Sequence, residues 1–277
     1  MRTWTSFCAV GFLLLSAAES QGQELPRTST QFGAFAFPDL GGTHLLAVSD
    51  LSQPETLHEA LCSDGRRVPV RFERRQGESD GAKGRQTAYV FDKVAGSVFA
   101  VLQGRIGQGS DTVDVSCFLV ADSLRSSATW LPAGHLEASG DCGPDVRRRL
   151  TSSRARPVVN CWPIATLTSG RRLILAEFAR QDNNALASVV LIDKDRAVFA
   201  DYPATFNREG QDLWRADDGG VLSPDGFRVV FVLQRASSYV LGMSWAASEG
   251  RSLTVFVSNN GSRFMAVITD YWYQAPL

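Results

Sequence analysis

Cys142 sits in the turn-like stretch Gly140-Asp141-Cys142-Gly143, and His58 lies upstream of it. A thiolate at Cys142, with His58 as its base and turn amides as an oxyanion hole, would form the apparatus of a thiol hydrolase. Asp92 or Asp114 would then orient the imidazole. A second pattern, Gly242-Met243-Ser244-Trp245-Ala246, has the spacing that exposes a serine on a strained strand-to-helix turn. That chemistry needs a histidine further along the chain, and His44, His58 and His135 all precede Ser244. Glu249-Gly250 also reads as a turn where a helix is required. Asp193 and Asp195 flank a hairpin corner, where carboxylates bond the local backbone. Asp217 and Asp218 lack the spaced ligand series of a calcium loop. No glycine-rich nucleotide signature occurs in its required context. The reading therefore expects no catalytic residue, no metal and no cofactor.

The segment around Cys142 looks like the nucleophile segment of chymotrypsin-like cysteine proteases, with His58 in the matching order. It departs from them immediately after the cysteine, because Asp145 to Arg149 is polar and basic where the family has an apolar strand. The competing reading makes Cys142 half of a disulfide. Met1 and Arg2, the apolar stretch Phe7 to Leu15 and the small residues Ser16, Ala17 and Ala18 read as a signal peptide over residues 1–20. The nine apolar residues are too few to span a bilayer, and no later run approaches the ~20 needed, so no transmembrane segment is expected. Export would place Cys62, Cys117, Cys142 and Cys161 in an oxidising compartment, secreted or periplasmic. Zinc is disfavoured by sequence separations of 55, 25 and 19 residues between them. Four cysteines allow three pairings, and the expected one is Cys62 with Cys117 and Cys142 with Cys161.

Those cysteines need elements to hold them, and the apolar runs supply an all-β pattern. Glycine turns at Gly41-Gly42, Gly96, Gly170 and Gly226 each precede a nearly continuous apolar run: Leu45 to Val48, Val98 to Leu102, Leu173 to Phe178 and Val229 to Leu233. Such runs suit strands buried on both faces. A third run begins at Leu57, Thr112, Ala185 or Tyr239, a nearly constant distance after the turn. Each unit therefore reads as a four-stranded antiparallel meander. Cys62 and Cys117 fall on matching third strands, and Cys142 and Cys161 fall in and beside a loop insertion at 123–160. The insertion carries Arg147, Arg148, Arg149, Arg154 and Arg156. Residues 21–277 are expected to form one all-β domain, a small β-propeller, with a β-sandwich or barrel as the alternative. Ser223-Pro224-Asp225-Gly226 and the strand after it resemble the turn of TolB-type periplasmic propellers. That resemblance implies a ligand- or protein-binding ring in an envelope assembly.

Twenty-eight basic against 29 acidic residues leave a net charge of −1, which gives no field to hold nucleic acid. Tyr271, Trp272 and Tyr273 crowd the C-terminus, and Trp130, Trp162, Trp214 and Trp245 fall near strand ends. Their rings suit stacking on a sugar or anchoring a partner protein, with core filling as the competing use. The resulting expectation is an exported, non-catalytic binding module for a protein or carbohydrate ligand, with a secreted thiol hydrolase as the alternative. Thiol counting separates the two: denatured, unreduced protein lacking residues 1–20 should take up no alkylating reagent, whereas labelling of Cys142 would restore the hydrolase.

Overall fold

The computed structural model describes residues 29–107, 115–135, 140–205, 222–247, 249–258 and 261–275. The expected signal peptide, Thr112, Asp114, Trp214, Asp217 and Asp218 lie outside them. The described chain is all-β, with antiparallel sheets throughout. Six strands form a closed barrel: β1 (Gly33–Pro38), β2 (His44–Ala47), β3 (Leu57–Cys62), β4 (Arg67–Gln76), β5 (Gly96–Val101) and β6 (Cys117–Ala121). Helix α1 (Ser29–Phe32) precedes them. Helix α2 (Asp122–Ser127) then leads into β7 (Thr129–Trp130), β8 (Ala133–His135) and helix α3 (Pro144–Arg154). Two meanders complete the chain. The first comprises β9 (Val158–Leu167), β10 (Arg172–Gln181), β11 (Asn184–Asp193) and β12 (Arg196–Thr205), and the second β13 (Phe227–Arg235), β14 (Ser238–Ala247), β15 (Gly250–Ser258) and β16 (Phe264–Tyr273).

The third and fourth expected units are thus four-stranded meanders, each extended to a five-stranded sheet by one short strand from the 123–160 segment. β8 pairs with β9, and β7 pairs with β13. The first two units differ from the expected blades. β5 inserts between β2 and β4, giving the barrel order β1-β2-β5-β4-β3-β6, so the described strands form a barrel and two sheets and not four equivalent propeller blades. Strand patterns along the chain reveal hairpins but not which distant strand takes the free edge, and here the second unit closes the first. The 123–160 segment is also more than a loop. β7 and β8 are too short to show alternation, and α3 carries only Val146 and Leu150 as large apolar residues.

Burial shows why the layers stack. In the Gly33-Ala34-Phe35-Ala36-Phe37 run of β1, the alanines point into the barrel and the phenylalanines point out. A six-stranded barrel has a narrow interior, and Ala34, Ala36, Ala47, Ala60 and Ala121 fit it beside Leu45, Val70 and Phe99. The outward Phe35, Phe37 and Phe118 pack on Val230, Phe231, Val240, Leu253, Val255 and Trp272 of the β13–β16 sheet. A β-bulge between Val229 and Phe231 turns two successive residues, Val230 and Phe231, towards the barrel. The Phe231 ring lies 4.8 Å from Phe118 and also covers Gly242 on β14, where a Cβ would stand 2.2 Å from the ring. The opposite face of the same sheet, through Phe227, Leu241, Met243 and Phe256, packs on Leu175, Ala187, Val189 and Ala200 of the β9–β12 sheet. The outer face of that second sheet is covered by α3 through Leu150, against Ile174, Phe178, Val190 and Phe199. The order of layers is barrel, sheet, sheet, helix.

A polar clasp joins the two sheets. Tyr239, 2% exposed, donates its hydroxyl to the Asp193 carboxylate, while Arg171 Nε approaches Tyr239 Oη at 3.0 Å and Asp193 Oδ1 at 3.2 Å. The Tyr239 hydrogen bond holds the Asp193 pKa below its ordinary value, and the Arg171 charge adds to it against the opposing effect of burial. A depressed carboxylate pKa gives stability that is complete above the unfolded-state value and disappears as pH falls through the folded one. Tyr239→Phe should therefore cost about 1.5–3 kcal/mol at neutral pH, the range for a hydrogen bond to a charged group. Urea denaturation should show that difference shrinking towards zero as the pH drops through the carboxylate range, where Asp193 protonates in both proteins.

Candidate functional site

The structure places Cys142, His58 and Ser244 in surroundings unlike a catalytic site. Cys62 and Cys117 face each other across the β3–β6 ladder, with Cα atoms 4.0 Å apart and a sulfur–sulfur distance of 2.01 Å. They meet because β3 and β6 are neighbours in the barrel, a route different from the matching of separate units that suggested the pair. Cys142 is bonded to Cys161 at 2.06 Å and tethers the segment before α3 to β9. With its sulfur in that bond, Cys142 offers no thiolate, and His58 stands on the exposed side of barrel strand β3, in another layer. Asp141 lies beside the bridge, but both sulfurs there are oxidised and cannot ligate a metal as thiolates. Ser244 is buried and hydrogen-bonded by Arg251 Nη1 at 3.0 Å, within a continuous strand and not at an elbow.

His44 has the densest polar surroundings of the histidines with described side chains. Asp39 Oδ1 accepts from the Thr43 and His44 backbone N–H groups at 2.7 and 3.1 Å, and Oδ2 accepts from the Thr43 hydroxyl at 2.8 Å. His44 Nδ1 lies 3.3 Å from Asp39 Oδ2, and Nε2 lies 3.4 Å from Glu73 Oε2. Burial raises the Asp39 pKa, yet the combined hydrogen bonds from His44 and Thr43 bring it below the ordinary value. These contacts tie the β1–β2 turn to itself and to β4, which is structural work.

The arrangement suited to a ligand is an aromatic cavity of about 300 Å³ between β12 and the face of β14–β16. Its floor is set by sheet register. Residues directly opposite in an antiparallel ladder share a face, so three rows cross the strands: Trp245, Ser252 and Tyr271; Met243, Thr254 and Thr269; Leu241, Phe256 and Ala266. Tyr202 on β12 forms the wall, with its ring 5.6 Å from Trp245, 6.1 Å from Phe256 and 5.2 Å from Phe227. Phe227 stacks on Trp245 at 5.6 Å and fixes the indole from behind. Neither the Tyr202 hydroxyl nor the Trp245 indole N–H makes a hydrogen bond among the described residues.

Of the three C-terminal aromatics, Trp272 is core: it is 2% exposed, packs on Phe37 at 5.5 Å and leaves its indole N–H without a hydrogen-bond partner among the described residues. Tyr271 is 44% exposed and stands opposite Ser252, a residue of the cavity lining. Tyr273 hydrogen-bonds through its backbone to Gln86 and stands opposite Gly250, beyond the end of the row. Alternation along β16 separates Trp272 from its neighbours, and the bare Tyr-Trp-Tyr string does not say which ring points out. Tyr202 and Phe256 were missed because each sits in an ordinary apolar strand, and only the stacking of two sheets brings them together.

Comparison of the chain with family models, with curated proteins and with solved structures finds no match. Burial pushes the Tyr202 hydroxyl pKa well above that of a free tyrosine. It therefore stays neutral and able to donate at any physiological pH. A raised pKa means that Tyr202 contributes stability that is complete below about pH 10 and lost as the pH climbs towards the folded value. Ultraviolet titration should show a late, high-pH phenolate component, and Tyr202→Phe should diminish it.

Proposed function

We propose that the chain is an exported, non-catalytic carbohydrate-binding module whose ligand lies on the Trp245–Ser252–Tyr271 row against Tyr202. The single observation that carries this reading is the register itself, which alternates aromatic faces with hydroxyl groups on one rigid surface. Sugar rings present apolar C–H faces that stack on aromatics and hydroxyl edges that exchange hydrogen bonds with Ser, Thr, Tyr and the indole N–H. A cavity of about 300 Å³ accommodates one ring with its neighbour projecting past the rim. Asp201 is the one charged residue of the cavity lining and is paired with Arg154, which fits a neutral ligand.

Export is part of the proposal. It rests on the signal-like residues 1–20 and on two disulfides, which persist in oxidising compartments. No helix among the described residues is long and apolar enough to cross a membrane. The TolB-like turn at Ser223–Gly226 contributes only a pointer to an envelope setting, and secretion to the medium meets the same chemistry.

Isothermal titration with a panel of neutral gluco-, manno- and chito-oligosaccharides tests the reading. At least one should bind saturably and quench Trp245 fluorescence, and Trp245→Ala should weaken it by about tenfold or more, as the loss of one stacking platform implies. Trp245 also packs on Phe227, so Tyr271→Ala supplies a surface variant that leaves the fold intact and should weaken binding several-fold. No saturable binding across the panel, or binding indifferent to both substitutions, would overturn the assignment.

A further inference from the structure

A second cavity, of about 290 Å³, lies on the other side of β12, where α3 meets the β11–β12 corner and the turn before β16. We infer that it is an oxyanion site for a phosphate or sulfate group. This site is independent of the aromatic cavity and rests on how three guanidinium groups are held.

Arg149, Arg154 and Arg196 line this cavity together with Ser153, Asp195, Phe199 and Ser262. Arg196 donates to two backbone carbonyls, those of Ser237 at 2.7 Å and Gly261 at 2.8 Å. Arg149 donates to the Lys194 carbonyl at 2.6 Å. Neutral carbonyls orient a guanidinium without cancelling its charge, so both groups are aimed and remain cationic towards the cavity. Arg149 has one carboxylate nearby, Asp195 at 3.6 Å, but that side chain is fully exposed and its pairing is screened by water. Arg154 is the anchored member. It pairs with Asp201, which also accepts from the Ser188 hydroxyl, and its guanidinium lies 4.1 Å over the Phe199 ring. Its Nε is buried with no hydrogen-bond partner among the described residues, an N–H already desolvated and oriented by the surrounding packing.

Three cations against Asp195 in the lining and Asp201 paired with Arg154 leave a local surplus of one positive charge on a chain whose net charge is −1. A guanidinium presents five N–H donors in a planar fork, and Arg149 and Arg196 each use at most two of theirs on carbonyls. The complementary ligand carries several acceptor oxygens around one centre, which describes phosphate, sulfate and their monoesters. The carbonyl end of α3 opposes an anion, but this effect is confined to its last turn and is screened at the surface. A carboxylate ligand satisfies one fork, whereas a tetrahedral oxyanion can bridge two.

The test uses the full chain without residues 1–20, titrated with inorganic phosphate, inorganic sulfate, glucose 6-phosphate, acetate and sodium chloride at matched ionic strength. Thermal unfolding and heteronuclear NMR report binding. Phosphate and sulfate should raise the melting temperature saturably, and acetate and chloride should not. Glucose 6-phosphate binding more tightly than phosphate identifies an ester as the ligand form, and equal or weaker binding identifies the free anion. Arg149→Gln, at a residue 36% exposed, should fold normally and weaken phosphate binding by about tenfold, with Arg149→Lys recovering part of the loss. Arg196→Gln should weaken it further if the variant folds, and Arg149→Gln carries the test if it does not. A response to phosphate no larger than that to chloride, or one unchanged in Arg149→Gln, would sink the site.

Discussion

The constraint on which the molecule depends is the burial of both faces of the β13–β16 sheet. A sheet with two apolar faces has no stable existence alone, since each face left in water forfeits about 25 cal/mol for every Å² of apolar area exposed. Here one face takes the barrel and the other takes the β9–β12 sheet. Phe231 is the hinge of this arrangement: its ring reaches Phe118 of the barrel and fills the space left open by Gly242 on the neighbouring strand. The bulge at Val229–Phe231 is what lets two adjacent residues serve the same interface.

Around this apolar stack the polar and covalent links sit at the margins. The Arg171–Tyr239–Asp193 clasp joins the two sheets at one end, and the Cys62–Cys117 bridge crosses two neighbouring barrel strands. Cys142–Cys161 and Arg147, which binds Asp141 and the Val158 and Val159 carbonyls, tie the segment before α3 to β9. The helix thereby covers a sheet face that would otherwise be exposed. Arginines of the expected loop insertion become, in the fold, fasteners of the helix and the lining of a cavity. Arg156 is 5% exposed, and its guanidinium is taken up by Ala179 and Asn184.

Both candidate sites border β12, the outermost strand of the second sheet, and they use its two faces. Tyr202 points inward to the aromatic cavity, while Phe199 and Asp201 point to α3 and the arginine cavity. Period-two alternation along one strand thus supplies two chemically different surfaces. Neither requires motion of the scaffold, because their side chains are carried on paired strands and a packed helix.

The sequence alone determined the strand content, the continuous runs that mark doubly buried strands and the two complete meanders. Each of these is set by spacing along the chain: turn residues set the hairpins, and alternation or its absence sets how many faces are buried. It also named Trp245 and Tyr271, two of the aromatics on the candidate surface. Tertiary structure decided what spacing cannot encode. Insertion of β5 between β2 and β4 turned two expected blades into one barrel, because edge pairing between distant strands depends on which surfaces meet in space. The same long-range packing placed Tyr202 over Phe256 and Trp245, sent Trp272 into the core beside Phe37, and gathered Arg149, Arg154 and Arg196 from a helix and a strand that are far apart in the chain.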